Sequence, residues 1–228
     1  MSYPTNATRP TAAHGTTRAK TGWPVIAGLV LLSVLPVIGG ALRLGEVSAD
    51  PGSAPSGVAA VAIVTHIVAM TVFCLLGAFQ FSPALRTRRR WHRTAGRTLI
   101  PSGFLAAASA IWLAVFFGGP PDEFATAMVR LVFAAAMAVF LVEAVIAIRR
   151  RDFTAHGAWM TRAYALAVTG GTQAVVSIVW SIPFGEPAAA GETWVVAAGF
   201  VINAVVAEVL IRRRAARRMP CVPAHATP

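Results

Sequence analysis

Charge is scarce in this sequence. Asp, Glu, Lys and Arg make up 13% of its 228 residues, about half the share of roughly 25% usual in soluble domains. Carboxylates are the scarcer kind, with nine acidic residues against twenty basic ones. There is a single lysine, Lys20, and arginine takes its place along the whole chain, a compositional bias without functional weight. There are only two cysteines, Cys74 inside an apolar stretch and Cys221 near the end of the chain. Their different environments exclude a disulfide framework. No hydrolase triad, phosphate loop, Walker motif or clustered metal-ligand set occurs, so no metal site is expected.

Long apolar runs are what the sequence has in quantity. The composition is 56% hydrophobic, and these residues fall in six blocks of about 20, long enough for a helix to span a hydrocarbon core of roughly 30 Å. The blocks cover residues 22–42, 58–81, 98–117, 126–148, 160–183 and 194–211. What lies between them is too short for a soluble core. Turn formers mark three connections, at Asp50-Pro51-Gly52, Gly119-Pro120-Pro121-Asp122 and Gly185-Glu186-Pro187. Open sheet edges cannot be satisfied in lipid. The expected fold is therefore all-α, a polytopic bundle of six transmembrane helices over residues 22–212. A disordered polar tail is expected over 1–21 and a basic tail over 213–228. Val47-Ser48-Ala49 resembles a signal-peptidase site, but the preceding apolar run exceeds the ~7–15 residues of a signal peptide.

Orientation follows from the arginines. Arg9, Arg18 and Lys20 precede the first block; Arg86, Arg88, Arg89, Arg90, Arg93 and Arg97 lie in the second connection. Arg149, Arg150, Arg151 and Arg162 lie around the fourth, and Arg212, Arg213, Arg214, Arg217 and Arg218 follow the last block. These segments alternate, so they share one side, and positive charge stays inside. Both termini are expected in the cytoplasm of a cell whose inner membrane holds the chain as a multi-pass protein. The pattern accounts for the net charge of +11 and makes nucleic-acid binding an unneeded hypothesis. Trp23, Trp91 and Trp159 fall at expected inner ends, and Trp112, Trp180 and Trp194 toward outer ends, as indole's preference for the interface requires.

Ionisable groups within a span are costly and therefore candidates for function. With a rise of about 1.5 Å per residue, His66, Gln173 and Asn203 fall near one depth close to the midplane. Arg130 lies in the outer half. Glu143 and Glu208 match in the inner half, and His92 and His156 match at the cytoplasmic interface. Each has a structural alternative. His66 could donate to a backbone carbonyl. Arg130 could reach Asp122 or Glu123, and the two glutamates could pair with Arg149, Arg162 or Arg212. Asn203 and Gln173 could be interhelical hydrogen bonds of about 1 kcal/mol. Met137 is expected in the core. In Thr169-Gly170-Gly171-Thr172-Gln173 the two glycines point to close packing or local unwinding.

Three segments carry a resemblance when taken together with His66: His92-Arg93-Thr94-Ala95-Gly96-Arg97; His156-Gly157-Ala158-Trp159-Met160-Thr161-Arg162-Ala163-Tyr164-Ala165-Leu166; and Asn203 with Glu208. They resemble the bacterial membrane family catalogued as domain of unknown function 2306, over roughly residues 58–212. An arginine is common in that family near the position of Gln173, and this departure weakens any anion-binding role there. The histidines are also loosely similar to those of cytochrome b561-type proteins, which hold b haem between helices.

Three functional readings follow. The first is a redox component binding b haem or a quinone within the bundle, with His66, His92, His156 and Arg130 as cofactor-binding residues. His66 has no histidine partner at its depth, and Met137 is its alternative ligand. The second is a proton-coupled small-solute transporter, with Glu143, Gln173, Asn203 and Glu208 joining His66 along a polar path. The third is a scaffold or sensor subunit working with other membrane subunits.

Overall fold

In a computed structural model, residues 23–49, 57–82, 85, 88–117 and 123–217 are described, and all regular structure among them is helical. Seven helices follow in order: α1 (Trp23–Ala49), α2 (Val58–Gln80), α3 (Arg89–Phe116), α4 (Phe124–Arg149), α5 (Phe153–Ala167), α6 (Thr169–Phe184) and α7 (Ala189–Ala216). Five are long and apolar enough to cross a membrane, or six spans if the bent pair α5–α6 counts as one. The expected tail over 1–21 lies outside the described residues, as does all of 213–228 beyond Arg217. α7 continues through Arg212, Arg213 and Arg214 to Ala216.

Helix contacts close a ring in the order α1, α2, α3, α4, α7, α6 and back to α1, while α5 packs against α2, α4 and α7. Leu31, Val61, Val132 and Ile182 are between 64% and 82% exposed. An apolar surface of this extent on a soluble monomer would mark an interaction site; here it is the face turned to lipid. Buried Phe73, Leu141, Met137 and Tyr164 form the centre of the bundle.

At one end α2, α4 and α7 finish and α3 and α5 begin, bringing the arginines together. This is called the basic end below, and its opposite the far end. The turn from α4 to α5 at the basic end is tight. Arg151 takes φ 60°, its N–H donates to Ile148 O at 3.1 Å, and the Asp152 N–H donates to Ala147 O at 2.9 Å. This bonding satisfies the last carbonyls of α4. The Asp152 carboxylate then accepts from the N–H groups of Thr154 (3.1 Å) and Ala155 (2.8 Å), a cap worth about 1 kcal/mol. The turn fixes where α5 begins and so where His156 falls.

The fifth apolar block, expected as one helix, is two helices bent by 42° at Val168. A break in lipid leaves carbonyls without partners, at a cost of several kcal/mol each. Asn203 on α7 makes good one of them: its Nδ2 donates to Ala165 O at 3.1 Å and to Thr169 Oγ1 at 3.2 Å. Thr172 Oγ1 donates to Asn203 Oδ1 at 2.9 Å. The bend turns α6 onto α1. A Cβ on Gly171 would fall on the Leu32 carbonyl. Pro36, four residues further along α1, has no N–H to offer that carbonyl. The chain unwinds at Val168, just ahead of the two glycines, which are themselves helical and pack closely on α1.

Candidate functional site

Two cavities lie in the bundle, one on each side of its centre. The basic-end cavity, of about 860 Å³, is lined by His92, Arg93, Gly96 and Arg97 of α3 and by Thr154, His156, Gly157 and Thr161 of α5. Phe73, Phe81 and Arg214 also line it, and among the described residues no Asp or Glu does. No Cα atoms of α3 and α5 lie within 8 Å of each other, although both helices pack on α2 and α4. The cavity occupies the space between them. A Cβ added at Gly96 or Gly157 would meet nothing within 4 Å.

His156 is half-buried, and its Nδ1 lies 2.9 Å from Ala144 O. A carbonyl only accepts, so Nδ1 carries the hydrogen, and in the neutral ring Nε2 keeps its lone pair. A backbone carbonyl aiming the other nitrogen of an imidazole is the usual support of a metal-ligating histidine. His92 stands one turn into α3 and is exposed.

The far-end cavity, of about 360 Å³, runs from Cys74, Met137 and Ala167 at the centre of the bundle to Phe117 at the end of α3. His66, Arg130 and Gln173 line it. His66 Nδ1 lies 3.1 Å from Ala106 O and 3.3 Å from Ser109 Oγ. It thus donates to the carbonyl, as its structural alternative requires, and still faces a cavity. Gln173 Nε2 donates to Val196 O at 3.3 Å.

A thin layer separates the cavities. The Tyr164 hydroxyl donates to Cys74 O at 2.9 Å, and the Cys74 thiol donates to Ala167 O at 3.5 Å. Ring centroids of Phe81 and Tyr164 are 5.0 Å apart. Gly77 admits the Tyr164 ring, because a Cβ there would collide with it.

The sequence candidates therefore divide. His92 and His156 share one cavity; His66, Arg130 and Gln173 share the other, with Met137. Asn203 lines neither, being consumed by the break. Glu208 is paired, accepting from Arg162 Nε at 2.5 Å and Nη2 at 3.1 Å, with the Trp159 ring 4.5 Å from Arg162 Cζ. Glu143 departs from the expected pairing: among the described residues it makes no ion pair, although it is half-buried. Equal depth does not give equal direction. The packed stripe of α4 is Met137, Leu141, Ala144 and Ala147, and Glu143 lies beside it. Arg130 pairs with Glu192 of α7 at 2.9 Å and not with Glu123; Asp122 lies outside the described residues. The Thr126 and Thr193 hydroxyls, 2.6 Å apart, join the same two helices nearby.

In the sequence Arg93, Arg97 and Arg214 stand out as topological charge, the first two also within the His92 segment that carries the resemblance. Only the meeting of three helices makes them one wall. Tyr164 was visible as one of two tyrosines, without any sign that it divides two cavities.

An all-helical bundle with lipid-facing apolar helices and polar groups turned inward defines a multi-pass integral membrane protein. The chain belongs to the family described as Predicted membrane protein (DUF2306), whose family model matches residues 63–211. No curated protein and no solved structure matches it.

Proposed function

We propose that this chain is a membrane redox protein that holds one b-type haem in the basic-end cavity, between His92 of α3 and His156 of α5. One observation carries the reading: two histidines and three arginines from three helices line a single cavity of about 860 Å³ to which no carboxylate among the described residues contributes. Three guanidinium groups without an acidic neighbour select an anion, and arginine binds carboxylates in bidentate fashion. Arg93, Arg97 and Arg214 would hold the propionates. The Ala144 carbonyl aims His156, and imidazole is the usual axial ligand for haem in a helix bundle. Phe73 and Phe81 exclude water from the wall beside α2. When bound, the haem supplies one-electron transfer.

The protein should be purified from cells supplied with a haem precursor. A Soret band should appear, with haem stoichiometric with the chain and bands that sharpen on reduction by dithionite. Haem-replete cells yielding a colourless, folded protein would overturn the reading.

The arginine distribution supports a basic end facing the cytoplasm of an inner membrane, where other membrane subunits would exchange electrons with it. Alkaline phosphatase fused at Pro228 should then be inactive. High activity there would reverse the orientation.

A second reading, a proton-coupled small-solute transporter, draws on the two cavities meeting at the Tyr164 layer and on the broken fifth span. Uptake of a solute by vesicles holding the colourless protein would favour it.

A further inference from the structure

We infer that the far-end cavity binds the ring of an uncharged quinol, the reduced form of a lipid-soluble quinone. The inference deepens the redox reading, since such a molecule is an electron donor that a membrane haem protein could use. It rests on a different cavity and different residues.

The cavity holds about 360 Å³, within the range of small-molecule sites and less than half the volume at the basic end. Its walls are mostly apolar and aromatic. Phe133 and Phe200 line it and stack on each other with centroids 4.2 Å apart. Among the described residues the one cation on the wall is Arg130, which is already paired with Glu192. A charged ligand would therefore find no free counter-charge and would lose its hydration. Of its polar side chains, His66 and Gln173 offer acceptors near one depth. His66 gives its Nδ1–H to Ala106 O, so Nε2 is an acceptor. Gln173 gives an amide N–H to Val196 O, and among the described residues its Oε1 has no hydrogen bond. Two acceptors in an apolar cavity suit a flat molecule with two hydroxyl donors. The oxidised quinone offers only acceptors and would face Nε2 unfavourably, so the site selects the reduced form.

The test is equilibrium binding of decyl-ubiquinol, kept reduced, to the full chain in nanodiscs. Binding should be saturable and tighter than that of decyl-ubiquinone. Decylbenzene, which has the tail and ring but no oxygens, should not compete. His66→Leu and Gln173→Leu should each weaken binding about tenfold, one hydrogen bond's share. Ala110→Phe, which fills the cavity from α3, should abolish it. His156→Ala should leave it unchanged, so that loss of the haem reading and loss of this one can be told apart. If His66→Leu fails to fold, Gln173→Leu and Ala110→Phe decide. Non-saturable uptake, competition by decylbenzene, or indifference to both Gln173→Leu and Ala110→Phe would overturn the proposal.

Discussion

His156→Ala should abolish the Soret band expected of the purified protein, and His92→Ala should abolish it or reduce it to a weak high-spin signal. His156 is the better-oriented ligand, because the Ala144 carbonyl 2.9 Å from Nδ1 fixes both the tautomer and the direction of Nε2. Removing it leaves the cavity walls intact, since Gly157 and Thr161 remain. Free imidazole added to His156→Ala should therefore restore the band, which a merely structural histidine would not permit. His156→Met should keep a haem but raise its midpoint potential, as methionine ligation does. His66→Ala, on the other side of the Tyr164 layer, should leave the spectrum unchanged. Equal loss of the band in His66→Ala and His156→Ala would place the haem elsewhere in the bundle.

The second large effect falls on the fold. Gly171→Ala should cost upwards of about 3 kcal/mol, the upper end for overpacking a close contact. The obstacle is the Leu32 carbonyl, which belongs to backbone and cannot rotate away as a side chain would. α6 and α1 must separate, which opens the far-end cavity and uncovers a carbonyl that Pro36 cannot serve. Gly39→Ala on α1 is the matched control. A Cβ there meets nothing within 4 Å, and alanine is favoured over glycine in a helix by up to about 1 kcal/mol. Thermal unfolding followed in detergent should show Gly171→Ala far below the parent protein and Gly39→Ala at or above it. Equal melting of the two variants would refute the contact.

The basic end shows why two histidines far apart in sequence can form one site without a motif. His92 and His156 each stand about one turn inside a helix that begins at the same end of the bundle. Their backbones stay more than 8 Å apart, Cα to Cα, because α2 and α4 hold them apart. The space that results is walled by the residues that open those helices, and basic residues gather there for topological reasons. A charge pattern that orients a membrane protein thus also furnishes an anion site, provided that no carboxylate lines the gap.

Much of the architecture was legible in the sequence, because the bilayer restricts the answer so strongly. Twenty apolar residues must be helical, arginine must stay on one side, and ionisable groups must turn inward. These rules act on each segment alone, so the positions of the helices and the inward placing of His66 and Gln173 needed no knowledge of neighbours, whereas Arg130 lines its cavity but stays exposed. Depth was also readable, which is why Glu208 found Arg162. Direction around a helix was not readable. It depends on which stripe packs, and that is decided by partners on other helices. Glu143 and Glu208 share a depth, yet only one has a partner. Asn203 looked like a cavity residue and serves the break at Val168, beyond which α6 leans on α1 at Gly171. The division of the interior into two cavities came last of all, from Tyr164 reaching across to the Cys74 carbonyl, a contact between residues ninety positions apart.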